Sequence, residues 1–280
     1  MLVKLRWIGC GGYEIVTDEG LVITVDPWYT QHEFSSVPLD ELRKPDVICV
    51  THGHGDHYAD VPELLKKTGA KLIATKPVCK HTEEKEGIPS SQLIPVEPDQ
   101  EVEYKGVKFY VTSGYHIPLE KIPEVFMGEK ITGKIPSIQE LLDVLVKKIP
   151  SSKDFMKLKE APNGSIVIGF HITTENGFTI WHTGSLLPSP KVEEYAKKLH
   201  PLIAIIQVLP TYEKDMAKVT QTINPCLCFP HHHDRLWKDQ LTDTNLNLYF
   251  EELKKLAPKI KYMNPTLGKT YQVDLMVKEE

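Results

Sequence analysis

The chain has 280 residues, 33 Lys and Arg against 38 Asp and Glu, a net charge of −5, and 41% apolar and 25% charged residues. That length suits one large domain or two small ones with a sizeable core, and the composition is that of an ordinary globular protein. The acidic balance gives no basis for binding nucleic acid or an anionic membrane, and no apolar run reaches transmembrane length.

The N-terminal MLVKLRWIGC enters a strand-like run without a signal-peptide core. Short β-branched runs follow (LVKLRWIG, YEIVT, LVITVD), broken by Gly11-Gly12 and Asp18-Glu19-Gly20, which predicts a meander. DVICV (46–50), KLIAT (71–75) and QLIPV (92–96) then alternate with the helical stretches ADVPELLKK and KPVCKHTEEK. Pro62 fits the first turn of the former, with Asp60 as its N-cap. VEYKG and VKFYVTS predict a hairpin. Residues 117–162 contain no convincing strand, but Ile138, Leu141, Leu142, Leu145 and Ile149 form a helical stripe, which predicts an insertion. The strand–helix rhythm then resumes: SIVIGFHIT, FTIWHTG, KVEEYAKKL, LIAIIQVL, MAKVTQTI, PCLCFP, NLYFEELKKL, and short strands around IKYM and KTYQVDL. Two such halves predict one α/β domain over 1–280, with two sheets face to face and helices outside. Cys10, Cys49, Cys79, Cys226 and Cys228 are scattered along apolar runs and read as small buried hydrophobes of a reducing compartment, so a cytoplasmic location is expected.

The chemistry concentrates in THGHGDHYAD (51–60), directly after the buried strand DVICV. A pattern H-x-H-x-[DE]-H arises in roughly 0.3% of shuffled chains of this composition, so a polar surface turn explains it poorly. Imidazole and carboxylate ligands at strand ends suit zinc, manganese or iron, provided several converge. Further histidines also sit at strand ends: His116 after VKFYVTSGY, His182 within FTIWHTG, and His231, His232 and His233 after PCLCFP. A lone histidine in such a place is more often structural, yet strand ends are where an α/β protein gathers its site. His32, His81, His171 and His200 lack that setting and read as structural or surface residues.

THGHGDHYAD resembles the H-x-H-x-D-H motif of the metallo-β-lactamase superfamily, and later segments follow that superfamily's order: GCGGYEI, VITVDPW, SGYHIP, WHTGS and Pro230-His231-His232. Within it the chain is most similar to the ascorbate-6-phosphate-lactonase-like metal-dependent hydrolases, with N-acyl phosphatidylethanolamine phospholipase D more distant. The resemblance implies a four-layer αββα sandwich with the helical insertion at 117–162. It implies one metal on His52, His54 and His116 and a second on Asp56, His57 and His232, with a water or hydroxide between them. The Pro-x-His spacing favours His232 over His231 or His233. Asp26 would accept an imidazole N–H and fix its tautomer, or else cap the turn before Pro27. His182 matches a position that is usually not a ligand.

One departure stands out. Ser185 occupies the place of the family's metal-bridging aspartate. A neutral hydroxyl cannot offset the repulsion of two cations, so one tight metal and a weak or absent second are expected, unless His231 or His233 compensates. The implied activity is hydrolysis of an ester-like bond, a lactone, carboxylic ester or phosphodiester, in a small-molecule substrate. Zinc is the first candidate metal, before manganese or iron. Its bound water, with a pKa near 7, would supply the hydroxide nucleophile, with Asp56 orienting that water and carrying its proton. Two other classes stay open: a catalytically reduced metal-binding or regulatory protein, motivated by Ser185, and a di-iron redox enzyme. The insertion starts right after His116, so it is expected either to cap the cleft, with Ile122, Val125 and Phe126 lining an apolar substrate pocket, or to pack on the outer helices. Arg235 is expected to bind an anionic group or to form a surface ion pair.

Overall fold

The computed structural model describes residues 2–29, 37, 41–131, 137–162 and 166–274. Its strands in chain order are β1 (Leu2–Gly9), β2 (Gly12–Val16), β3 (Val22–Val25), β4 (Val47–Cys49), β5 (Lys71–Thr75), β6 (Leu93–Val96), β7 (Glu101–Tyr104) and β8 (Val107–Ser113) from the first half. The second half adds β9 (Ile168–Thr173), β10 (Thr179–His182), β11 (Ile203–Gln207), β12 (Leu227–His231), β13 (Lys261–Tyr262) and β14 (Thr270–Asp274). The helices are α1 (Gly55–Tyr58), α2 (Val61–Thr68), α3 (Lys76–Glu84), α4 (Ile122–Met127), α5 (Ile138–Lys148), α6 (Ser152–Phe155), α7 (Pro190–Leu199), α8 (Glu213–Ile223) and α9 (Leu246–Leu256). None of these helices is long and apolar enough to cross a membrane.

Among the described residues the strands form two seven-stranded sheets, ordered β14-β1-β2-β3-β4-β5-β6 and β13-β12-β11-β10-β9-β8-β7. Each sheet is antiparallel along one side and parallel along the other, with the change of sense at β3 in one and at β10 in the other. The predicted hairpin joins β7 to β8 through Lys105 and Gly106, both at positive φ, the backbone a two-residue hairpin turn demands. Val25, Cys49, Ile73, Val111, Phe170, Ile205 and Phe229 fill the space between the sheets. Val61, Leu65 and Val78 of α2 and α3 cover the outer face of the first sheet. Val192, Met216, Ala217 and Leu253 of α7, α8 and α9 cover that of the second. This is the expected four-layer αββα arrangement, and each buried apolar stripe matches the face its helix presents.

Several local expectations change. The segment after β4 is not all loop, because His57 and Tyr58 donate backbone N–H bonds to His54 O and close the turn α1. Asp60 stands at the N-cap of α2 but does not cap it; its carboxylate accepts the Tyr29 N–H instead (2.5 Å). β12 runs one residue further than PCLCFP, since His231 still pairs with Gln207 of β11. Cys226 is exposed rather than buried. In the insertion Leu141, Leu145 and Ile149 are buried as the stripe requires, but Ile138 is 57% exposed.

The ends of β3, β4, β8, β10 and β12 carry Asp26, the 52–57 motif, His116, His182 and His231–His232 to a common edge. Backbone bonds from His232 N to Cys10 O (2.8 Å) and from Ile168 N to Thr51 O (3.0 Å) tie the two sheets together there.

Candidate metal centre

β3 and β4 run parallel with Val25 level with Cys49, so Asp26 and Thr51 emerge side by side. Both Asp26 oxygens are engaged: Oδ1 accepts the Thr51 N–H (2.8 Å), and Oδ2 accepts the Thr51 hydroxyl (2.7 Å). Because that hydroxyl donates to Asp26, its oxygen is left to accept from His52 Nδ1 at 3.0 Å. The chain of donors fixes the His52 tautomer and leaves its Nε2 lone pair facing His54 Nδ1, 3.1 Å away. His116 completes the group. Its Nδ1 lies 3.1 Å from Ile117 O, so Nδ1 carries the proton and Nε2 is the acceptor. One donor atom from each of these three histidines lies within 4.8 Å of the others. Burial, followed by the charge of neighbouring histidines, holds the His52 pKa well below its usual value, and burial with His54 pushes His116 down to about 4. Burial likewise lowers that of His54. The group is therefore three neutral imidazoles, the form a metal needs.

A second donor group adjoins the first, with the His52 and His57 rings 4.0 Å apart. Asp56 Oδ2 lies 3.2 Å from His57 Nε2 and 3.3 Å from His232 Nε2, and those two nitrogens are 3.2 Å apart. Asp26 reaches this group as well, with Oδ2 2.8 Å from His57 Nδ1. Gly11 makes that approach feasible: a Cβ there would sit 2.8 Å from His57 Cε1 and 3.1 Å from its Nδ1. Burial opposes charge on His57, but the Asp56 and Asp26 carboxylates outweigh it and raise its pKa to about 10. Burial likewise opposes the Asp56 carboxylate, and His57 and His232 overcome it, holding that pKa well below the usual range. The fourth member was not foreseen. Cys10 Sγ lies 3.3 Å from His232 Nε2 and 3.5 Å from Asp56 Oδ2. Sequence patterning grouped Cys10 with the buried cysteines; the available signal was its place in the Gly-rich turn after β1, at a strand end rather than within a strand.

The remaining candidates lie elsewhere. His182 has both ring nitrogens occupied by backbone, Nε2 at 2.9 Å from Gly11 O and Nδ1 accepting the Gly184 N–H at 3.2 Å, so it is a structural histidine joining the two sheets. His231 is buried and stacks on His182, and His233 stacks on Trp7; neither joins a donor group. Ser185 is buried, and its Oγ accepts from Gln207 Nε2 at 3.5 Å. Arg235 makes a two-pronged surface ion pair with Asp243 (2.6 and 2.8 Å). His171 sits in β9, His81 in α3 and His200 at the end of α7, while His32 lies outside the described residues.

Asp56, His57, His54, His116 and His232 line a cavity of about 450 Å³. Its walls are apolar: Ile122, Phe126, Leu142, Leu145 and Met156 from the insertion, facing Leu209, Leu236 and Trp237. Phe126 packs edge-on against Trp237 at 4.9 Å. Val125, expected beside them, turns the other way into the core beneath α7–α9, because α4 presents only one face to the cavity. The insertion is pinned to the motif by the Ala161 N–H bond to Gly53 O (2.8 Å), and Gly55 has no Cβ where Leu158 packs.

The three neutral imidazoles of the first group, with lone pairs facing one another, fit a divalent transition metal better than they satisfy one another, and the imidazole, carboxylate and thiol donors of the second suit the same class of ion once their protons are released.

Residues 22–138 match the beta-lactamase superfamily domain. The chain is 35% identical over 122 residues to a metal-dependent hydrolase of Methanobrevibacter smithii, covering 44% of this chain and 49% of that one, so it spans about half the length of that relative. It is 26% identical over 276 residues to a metal-dependent hydrolase of Thermodesulfovibrio yellowstonii, covering 97% and 92%. Its fold is similar to that of a metallo hydrolase from Ignicoccus hospitalis, with a TM-score of 0.72, 18% identity and coverage of 99% and 100%.

Asp26 is the group to perturb. In metal-free protein the His57 contribution to stability is full below the unfolded value near 6.5 and is lost as pH rises through about 10. The melting temperature of chelator-treated protein should therefore fall between pH 7 and pH 10. Asp26→Asn should flatten that slope and weaken metal retention about 10–100-fold. A flat wild-type profile would contradict the arrangement.

Proposed function

From its membership of the metallo-β-lactamase superfamily, we propose that the chain is a metal-dependent hydrolase of a neutral carboxylic ester or lactone carrying an apolar group. The observation that carries this reading is the opening of both donor groups onto the floor of one apolar cavity. The relatives named as metal-dependent hydrolases support the reaction class. The choice of bond comes from the walls. Among the described residues no Lys or Arg lines the cavity, and the one further acidic residue is Glu160. Apart from the bound ions, a phosphodiester anion would find no Lys or Arg among the described lining residues and would meet the Glu160 carboxylate; a neutral ester meets neither difficulty.

His52, His54 and His116 would hold one ion and Asp56, His57 and His232 another, zinc being the metal that mixed imidazole and carboxylate donors suit best. Such an ion lowers the pKa of water to roughly 7 and polarises the acyl oxygen. Asp56 orients the attacking water by accepting its hydrogen bond and passes the proton to the departing alkoxide. Asp26 keeps His57 and, through Thr51, His52 in the required orientation. The insertion acts as a cap: Ile122 and Phe126 bind the apolar part of the substrate and exclude bulk water from the scissile bond.

With zinc-loaded protein, neutral aryl esters and lactones should be turned over and bis-aryl phosphodiesters much more slowly, and His116→Ala should lower ester turnover at least 100-fold. Preference for the phosphodiester would overturn the substrate assignment. Phe126→Ala should lower kcat/KM for a long-chain acyl ester about 10-fold, the scale of losing an apolar contact worth 1–2 kcal/mol, while leaving an acetyl ester nearly unchanged. Equal losses on both esters would count against the cap.

A further inference from the structure

We propose that Cys10 is the fourth protein ligand of the second metal ion, completing a closed site with Asp56, His57 and His232. This rests on the metal-dependent reading above and goes beyond it. It replaces the expectation of a weak second site with that of a tight one.

The argument is first geometric. Zinc bonds of about 2.0–2.3 Å at tetrahedral angles separate neighbouring donors by roughly 3.3–3.6 Å. Five of the six separations within the quartet are 3.2, 3.2, 3.3, 3.3 and 3.5 Å. All four residues are buried, and one donor atom from each lies within 4.8 Å of the rest. Five edges thus match those of a tetrahedron around one ion, and the sixth, Cys10 to His57, is within 4.8 Å.

The backbone is also set for this role. Cys10 has φ 46° and His232 φ 58°, a left-handed region costly for residues with a Cβ. Cys10 is held there from three sides: its N–H donates to Asp234 Oδ2 (2.9 Å), and its carbonyl accepts from Trp7 Nε1 (3.1 Å) and from His232 N (2.8 Å). The last bond joins the two residues of the quartet that come from opposite sheets.

Charge supplies the third strand. Ser185 is a neutral hydroxyl that accepts from Gln207 Nε2, so no carboxylate there offsets the second cation. On binding, the Cys10 S–H and His57 Nε2–H bonds break, both protons leave to solvent, and the freed sulfur and nitrogen pairs form bonds to the ion. The thiolate and Asp56 then balance a 2+ charge. A thiolate also selects the metal, favouring zinc or cobalt(II) over magnesium or manganese. Cys10 thus takes the compensating part that the sequence suggested for His231 or His233.

The test loads chelator-stripped full-length protein with zinc or cobalt(II) and dialyses it. Wild type should retain two equivalents and, with cobalt, show a thiolate-to-metal charge-transfer band in the near ultraviolet. Cys10→Ala should retain one equivalent and lose the band. Cys10→Asp, a ligand that tolerates positive φ, should keep two equivalents without the band, and it serves if the alanine variant fails to fold. Two equivalents in Cys10→Ala, a band that survives Cys10 replacement, or two bound cobalt ions with no band in wild type would overturn the Cys10 assignment alone. Wild type that retains no metal at all would overturn the metal-dependent reading beneath it.

Discussion

The whole site hangs on the buried carboxylate of Asp26. Removed from water, such a group costs several kcal/mol unless donors replace its hydration. Here they are the Thr51 N–H and hydroxyl, with the His57 ring as ion-pair partner, its Nδ1 2.8 Å away. Each contact also orients something downstream. The Thr51 hydroxyl sets the His52 tautomer and so the first donor group; the His57 contact sets the second. One side chain thereby couples two clusters that share no residue. Asp26 itself adopts φ 46°, so its own backbone is part of what holds the arrangement.

Sheet topology explains why such a coupling can exist. Parallel pairing of β3 with β4, and of β10 with β11 and β12, sends the carboxyl ends of those strands to the same edge. Antiparallel strands occupy the other side of each sheet, where the first turn, Gly9–Gly12, folds back toward that edge and delivers Cys10. The Cys10–His232 backbone bond and the His182–Gly11 contact then bridge the sheets. The candidate donors sit on segments fixed at both ends, which suits a preorganised site.

Much of this was legible in the sequence because it is written in local patterns. Period-two runs and glycine turns located the strands, and the apolar stripe located α5. The 52–57 motif, His116 and His232 announced themselves by residue type at strand ends. What escaped depends on contacts between segments far apart in the chain. Cys10 looks like any buried cysteine until His232, 222 residues away, is folded against it. Asp60 reads as a helix cap because nothing local reveals that Tyr29 takes its carboxylate. Val125 and Phe126 are adjacent and equally apolar, and only the rotation of α4 decides which faces the cavity. His182 already matched a position that is usually not a ligand, and the two backbone groups around its ring give that reading its physical form.

The central claim is that Asp26 organises two adjacent donor groups, each holding a divalent metal. The most direct measurement is a crystal structure of zinc-loaded protein with anomalous difference density at the zinc edge. The account predicts two peaks, one in bonding contact with His52, His54 and His116, the other with Asp56, His57, His232 and Cys10, and Asp26 still joined to Thr51 and His57. Density centred on His231, His233 or Ser185, or no peak at the three-histidine group, would contradict it.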